Sequence, residues 1–313
     1  LNVLLSTYFN KMKIPTVKEK TLQVNRFLIL MVFLLVSILI ILPWLINDNE
    51  NYIINNFSNE VDNNLKISGI SNKIHINNNW SEAKAAGICT GSGTYADPYL
   101  IEDLVIDAEG IGSCILIESS NDYFKIENCT LHHSEMYHFF LEERHAGIKL
   151  NNASNGIIYH NEFSLHRSYG IYLVDSKNNL ILENVAHPEG YNRVFIDNGS
   201  RNNKIINNTL IKNEILLSGI NNTLSENKIY GAGISLNGNI TESGSHEIDT
   251  SNKVNELPII YYANEIGLVP NNFTGAGQII LVNASNSLIS NIEIFNSSAG
   301  ISLIYSHNNK IEK

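Results

Sequence analysis

The chain has 313 residues, a formal net charge of −10 from 31 acidic and 21 basic side chains, and 47 asparagines, the last about three times the usual share. Asparagine is a poor former of helices and strands, but it suits turns and the left-handed backbone conformation. This composition argues against a helical bundle, and the lack of amphipathic helical stretches between strands argues against Rossmann and TIM-barrel folds. The acidic balance gives none of the basic surface that a nucleic-acid binder needs.

The N-terminal part contains one long apolar run, FLILMVFLLVSILIILPWLI over residues 27–46, and about 20 apolar residues cross a bilayer as a helix. Lysines and an arginine precede the run, whereas acidic residues follow it. The pattern predicts a single-pass membrane protein with residues 1–26 in the cytoplasm and the remainder outside the cell. A cleaved signal peptide is the alternative, although PWLINDNENY has no small-residue cleavage site.

Two short regions separate this run from the rest of the chain. Residues 47–74 are polar and rich in asparagine, and they are expected to form a tether. Residues 75–98 are expected to cap the following domain, with a short helix from Trp80 to Ala86 that ends at Gly87. In this arrangement Trp80 packs against the first repeat.

A repeat with the consensus G-I-x-L-x-x-S-x-N-N-x-I-x-x-N-x-I fills residues 99–313, with several steps of about 23–25 residues and two longer ones. Each copy holds short apolar-alternating strands and leaves no room for a helix, so the copies must stack as a parallel β-solenoid with an aliphatic core. The pairs Ile115/Ile117, Ile148/Leu150, Ile171/Leu173, Ile279/Leu281 and Ile301/Leu303 are predicted to line that core. One polar residue per coil is predicted to form a structural ladder at a corner: Asp103, Asn128, Asn161, Asn184, Asn208, Asn227 and Asn291. The chain stops one residue short of the next such asparagine, and we expect the repeat to continue beyond Lys313.

This consensus resembles the right-handed parallel β-helix repeat family, including the β-helix domain of NosD-type periplasmic copper-binding proteins. The opening GSGTYADPYLIEDLVID over residues 91–107 is similar to the first turn of many archaeal and bacterial members. The stretch NKVNELPIIYYANE over residues 252–265 is similar to NxVNGKPxYY, with Glu256-Leu257 in place of Gly-Lys. The resemblance implies an all-β, right-handed parallel β-helix over roughly residues 75–313, and copper handling is one function that it suggests.

A polar insertion, LHHSEMYHFFLEERHAG, lengthens the link over residues 131–147. Long loops on a rigid scaffold often carry function, and imidazole and carboxylate groups suit divalent metals. The alternatives are a metal-binding or sugar-binding loop and a merely solvated one, because the spacing fits no established metal motif. The candidate binding residues in this loop are His132, His133, Glu135, Tyr137, His138, Glu142, Glu143, Arg144 and His145.

The residues directly before the predicted ladder form a second candidate site. Strand alternation should direct them outward as a stripe, with Glu102 and Glu127 about 4.8 Å apart on neighbouring strands. Two carboxylates at that separation repel one another unless a cation lies near them. The stripe is therefore either a Ca²⁺ or substrate groove or a solvated acidic face, and its candidate residues are Glu102, Glu127, His160 and Glu183.

The three cysteines do not make a full disulfide framework. Cys89 and Cys114 lie about one coil apart, and both a disulfide and two buried thiols are compatible with that spacing. Aspartates do not recur in one register beside a basic residue, which argues against an enzyme. We expect a binding or structural role at the cell surface with polysaccharide or surface-layer components as partners. A polysaccharide lyase or hydrolase that depends on Glu142 or Glu143 is one alternative, and a NosD-like copper accessory protein is the other.

Overall fold

The computed structural model describes residues 69–135 and 144–313, which form 27 short strands, numbered β1–β27 in chain order, two short helices and one 3₁₀-helix. The predicted span at 27–46 and most of the predicted tether lie outside the described residues. Within the described part of the chain, no helix is long and apolar enough to span a bilayer.

Three sheets of mainly parallel strands stack along the described chain up to Ile248, and most coils in this part contribute one strand to each of them. Sheet A has eleven strands. They are β1 Gly69–Ser71, β4 Leu104–Asp107, β7 Thr130–His132, β10 Glu162–Ser164, β13 Val185–Ala186, β16 Thr209–Ile211, β19 Lys228–Tyr230, β22 Lys253–Val254, β23 Leu257–Ala263, β24 Gln278–Val282 and β26 Ile301–Ile304. The predicted all-β parallel solenoid is therefore confirmed, and its first described strand, β1, lies inside the segment that the sequence analysis assigned to the tether.

Sheets B and C have seven strands each, and two further strands pair near the C-terminus. Sheet B contains β2 Ile74–Asn77, β5 Ile115–Glu118, β8 Ala146–Asn151, β11 Tyr169–Val174, β14 Val194–Ile196, β17 Ile215–Leu217 and β20 Ile234–Leu236. Sheet C contains β3 Tyr99–Glu102, β6 Phe124–Glu127, β9 Gly156–Tyr159, β12 Leu180–Leu182, β15 Lys204–Ile206, β18 Thr223–Ser225 and β21 Glu247–Ile248. The remaining pair is β25 Leu288–Ser290 with β27 Lys310–Glu312.

The core is an aliphatic column, because every second residue of these strands points inward. Ile115, Ile117, Ile148, Leu150 and their counterparts in β11 and β24 are fully buried, as predicted. In the last strand of sheet A, by contrast, Leu303 is 40% exposed.

A short helix, α1, occupies Trp80–Ala85 between β2 and β3, within the predicted helical stretch. Trp80 stacks on Tyr99 at 4.7 Å between ring centroids, and its indole N–H donates to the Ser120 hydroxyl at 2.8 Å. The indole is thereby buried with its one polar group paired. A second helix, α2 at Ile240–Ser243, and the 3₁₀-helix Pro270–Phe273 lie in later connections.

Asparagine ladders hold two corners of the coil. In the first ladder, each asparagine after the first accepts on Oδ1 from the backbone N–H and the side-chain Nδ2 of the asparagine one coil before it, at 2.8–3.3 Å, whereas the first accepts from the Cys129 N–H at 2.9 Å. Its members are Asn161, Asn184, Asn208, Asn227 and Asn252. A second ladder of Asn179, Asn203 and Asn222 follows the same pattern and ends at His246, whose Nδ1 accepts from the Asn222 N–H at 3.3 Å.

Three of the predicted ladder residues occupy a different position. Asp103, Asn128 and Asn291 have φ near +55°, the left-handed conformation, and the strand register puts Asn128 opposite His160 rather than Asn161. The left-handed corner of the middle coils is taken by His160, Glu183, Asn207 and Glu226, each one residue before a ladder asparagine. Asparagine suits the corner position because it tolerates the left-handed backbone, and it suits the ladder position because its amide both donates and accepts hydrogen bonds. The repeat pattern alone therefore does not distinguish the two positions.

The regular coils end at a hairpin between β22 and β23, the one antiparallel pair among the named strands of sheet A. Its two turn residues, Asn255 and Glu256, have φ of +49° and +67°, as a type I′ turn requires. Glu256 therefore stands at a position that favours glycine, and this is the position at which the sequence departs from NxVNGKPxYY. A separate cluster of buried side chains, which includes Phe273 and Ile289, forms the core beyond the hairpin.

Candidate functional site

On the outer surface of sheet C, Glu102 and Glu127 of the predicted acidic stripe share one row, but His160 and Glu183 do not belong to it. Glu102 is in register with Glu127, and Glu127 is in register with Tyr159 on the next strand. The same row continues across the sheet, and all of its members from Glu127 onward are half-buried: Glu127, Tyr159, Leu182, Ile206 and Ser225. His160 and Glu183 lie at the adjoining corner, so they flank this row rather than belong to it.

Lys125 provides the cation that the two neighbouring glutamates need. Its ammonium forms an ion pair with Glu127 and lies 4.6 Å from the centroid of the Tyr159 ring. The repulsion expected between Glu102 and Glu127 is therefore reduced by a side chain of the same face. Sequence analysis missed Lys125 and Tyr159, although the alternation of β6 and β9 with respect to the core could have placed both on the outer face.

The remainder of the face is aliphatic. A second outward row, parallel to the first, runs from Lys125 through Ile157 and Leu180 to Lys204. Ile157 and Leu180, like Leu182 and Ile206 of the first row, are half-buried. We name the outward residues of β6, β9, β12 and β15 the sheet C face. It is a strip of aliphatic and aromatic side chains with charged groups at both ends.

A second group of functional side chains lies where the polar insertion begins. Asp107 ends β4, His132 ends β7, and the strand register places these two residues side by side. The Nδ1 atoms of His132 and His133 are 3.1 Å apart, and the Asp107 Oδ2 atom lies 3.4 Å and 3.0 Å from them, respectively. We name these three residues the Asp–His–His cluster. Among the described residues they form the one group that could hold a metal ion.

The backbone fixes this cluster from both strands. The His132 carbonyl accepts from the Ala108 N–H at 3.0 Å, and the His133 carbonyl accepts from the Gly110 N–H at 2.7 Å. Burial raises the pKa of Asp107, but hydrogen bonds from the Glu109 amide and from His133 outweigh this effect and lower the pKa below its usual value. Asp107 is therefore an ionised acceptor at neutral pH.

Sequence analysis identified His132 and His133 but missed Asp107, because Asp107 lies outside the insertion. It precedes His132 by one coil of 25 residues, the same step that separates Asp103 from Asn128. That spacing was the available signal.

Other predicted loop residues have separate contacts. Glu135 Oε2 accepts from the Gly112 N–H at 2.7 Å and lies 3.5 Å from His145 Nε2. Arg144 contacts Asp197 at 3.2 Å and lies over the Phe195 ring on the outer side of sheet B. The structure does not place these residues in the Asp–His–His cluster. Tyr137, His138, Glu142 and Glu143 lie outside the described residues.

The three cysteines are buried free thiols. Cys114 donates to the His132 carbonyl at 3.2 Å, and burial raises its pKa to about 12. Cys129 donates to the Glu127 carbonyl at 3.2 Å. Of the two alternatives for Cys89 and Cys114, a disulfide or two buried thiols, the structure shows two buried thiols that contribute to packing.

Comparison with protein families places part of the chain in a known family. The family model described as a right-handed beta helix region matches residues 72–230. No curated protein and no solved structure matches the chain.

Proposed function

The chain belongs to the right-handed β-helix family, and we propose that it is a cell-surface protein that binds an extended, neutral polysaccharide along the sheet C face. A solenoid suits this role because it repeats the same surface at each coil, about 4.8 Å from the next. A linear polymer that lies across the strands therefore meets similar side chains at regular intervals.

The observation that carries the proposal is the group of Lys125, Glu127 and Tyr159 beside the aliphatic strip. Sugars present apolar C–H surfaces together with hydroxyl groups. A half-exposed tyrosine ring offers apolar contact area with a polar tip, and carboxylates accept hydrogen bonds from hydroxyls. The net charge of −10 favours a neutral polymer over an anionic one, since like charges repel at long range.

The proposal is tested with Tyr159→Ala in the full chain. The variant should bind a panel of immobilised neutral polysaccharides at least about tenfold more weakly than the original chain, because a stacked aromatic anchor supplies one of the larger contributions to binding at such a surface. Tyr191→Ala is the matched control, since Tyr191 is 58% exposed and lies in a connection outside sheet C. Failure of the original chain to bind any member of the panel, or equal binding by both variants, contradicts the proposal.

We further propose that residues 27–46 anchor the protein in the membrane, with the β-helix outside the cell. The support is the length and apolarity of this run and the basic residues before it. Replacing Leu34 and Leu35 by arginine should release the protein from washed membranes, because each arginine at a span centre costs about 2.5–3.5 kcal/mol. Retention of this variant in the membrane fraction would contradict the anchor.

A further inference from the structure

We propose that the Asp–His–His cluster binds one divalent ion of the zinc class, through Asp107 Oδ2 and the Nδ1 atoms of His132 and His133. This site is separate from the sheet C face and goes beyond the polysaccharide-binding role. Two imidazoles and a carboxylate are a ligand set that zinc accepts, with about 2.0–2.2 Å between metal and ligand atoms.

The separations within the cluster fit tetrahedral coordination. Ligand atoms about 2.0–2.1 Å from a tetrahedral ion are about 3.3 Å from one another. The three separations in the cluster are 3.0, 3.1 and 3.4 Å. One ion can therefore contact all three atoms with small side-chain adjustments and no movement of either strand.

The cluster is also held in place by groups around it. Asp107 Oδ1 accepts from the Glu109 N–H at 2.7 Å, and this bond leaves Oδ2 directed at the histidines. Hydrogen bonds of this kind orient metal ligands and strengthen binding. Because the two Nδ1 atoms lie 3.1 Å apart, at least one of the rings carries its N–H at Nδ1 when no ion is bound. Binding of one ion by both Nδ1 atoms requires each ring to adopt the tautomer that carries its N–H at Nε2.

Among the described residues, no neighbouring side chain supplies a fourth ligand, and we expect solvent or a bound molecule at that position. The His166 imidazole is fully buried, with its Nδ1 accepting from the Ser134 N–H, and the Cys114 thiol donates to the His132 carbonyl. The side chains of Asp107, His132 and His133 are 42%, 23% and 43% exposed. The ion would thus be bound at the surface with one exchangeable position.

The test is calorimetric titration of the full chain, purified in detergent and stripped of metal with a chelator, with zinc chloride alone. We expect one zinc ion per chain. His133→Asn is the informative variant, because asparagine tolerates the left-handed φ of +56° at this position and removes a ring nitrogen. It should weaken zinc binding at least about tenfold, and Asp107→Asn, which can still accept from the Glu109 amide, should do the same.

His187→Asn is the matched control, since His187 is 35% exposed, lies 3.7 Å from a carboxylate of Glu162 and is not part of the Asp–His–His cluster. Zinc binding should be unchanged in this variant. Circular dichroism should show that all three variants are folded. The proposal is overturned if the original chain binds no zinc, if His133→Asn and Asp107→Asn bind it unchanged, or if His187→Asn loses binding equally.

Discussion

The two asparagine ladders run along different corners of the same coils, and they end differently. The first ladder ends at Asn252, whose Oδ1 accepts from Asn227 and whose Nδ2 donates to the carbonyls of Leu224 and Asp249. The second ends at His246, whose Nδ1 accepts from the Asn222 N–H while its Nε2 has no partner. Asn222 Nδ2 is also without a partner. An asparagine amide has an oxygen that can accept two hydrogen bonds and an NH₂ group that can donate two, whereas a neutral imidazole has one accepting nitrogen and one N–H.

The difference shows what a ladder asparagine contributes. Asn208 accepts from the N–H and Nδ2 of Asn184, and it donates to two backbone carbonyls and to Asn227. The His246 imidazole supplies the acceptor for the Asn222 backbone N–H but leaves Asn222 Nδ2 without a partner. The first ladder should therefore carry more stability per coil than the end of the second.

The largest expected effect follows from interrupting the first ladder. Asn208→Ala leaves the buried Asn184 N–H without its acceptor and should lower the free energy of unfolding by about 3–5 kcal/mol, because each buried unpaired group costs about 1–3 kcal/mol. Chemical denaturation checks this loss. The control is Asn207→Gly, at the exposed left-handed corner next to it, which should change stability by less than about 1 kcal/mol. Equal effects of the two substitutions would show that the ladder has no special role.

The second expected effect is acid sensitivity at His246. Burial lowers the pKa of His246 to about 4, although the nearby Glu242 carboxylate raises it, and Tyr261 is packed beside it. Unfolding restores an ordinary pKa near 6.5, so the unfolded state binds the proton first. Stability is therefore complete above about pH 6.5 and falls by about 1.4 kcal/mol per pH unit as the pH drops toward 4.

His246→Asn should remove this dependence. Denaturation midpoints measured from pH 7.5 to pH 4.5 should fall less steeply for the variant than for the original chain. Identical slopes would mean that His246 is already protonated in the folded protein or is exposed to solvent.

The same substitution should act at neutral pH as well. Asparagine at position 246 gives Asn222 Nδ2 the acceptor that it lacks, and a restored buried hydrogen bond is worth about 1 kcal/mol. We expect a small rise in the thermal midpoint at pH 7.5. His246→Ala, which removes the acceptor for the Asn222 N–H, should lower it. A fall in both variants would indicate that the ring is needed for packing.

Sequence reasoning located the first ladder from Asn161 to Asn227 because period and residue type agree there. It misplaced Asp103 and Asn128 by one position, since the long coil before Asn161 hides the register and asparagine also suits the left-handed corner. Asp107 was missed for another reason: it lies outside the insertion, although the 25-residue step that pairs Glu102 with Glu127 also pairs it with His132. Neighbours on adjacent coils become visible only when strand register is known, whereas neighbours within one coil, such as His132 and His133, are visible in the sequence.

The smallest expected effect concerns the hairpin directly after the first ladder. Glu256 has φ of +67°, which costs a residue with a side chain about 1–2 kcal/mol relative to glycine. Its carboxylate accepts from the Tyr230 hydroxyl at an exposed position, where such a bond is worth little.

Glu256→Gly should therefore stabilise the protein by about 0.5 kcal/mol, since glycine removes the strain but loses this bond and some chain entropy. Glu256→Ala keeps the strained backbone without the hydrogen bond, and it should be less stable than either the original chain or the glycine variant. Differential scanning calorimetry of the three proteins resolves the order. If the alanine and glycine variants have the same thermal stability, the backbone of this turn is not strained and the prediction is wrong.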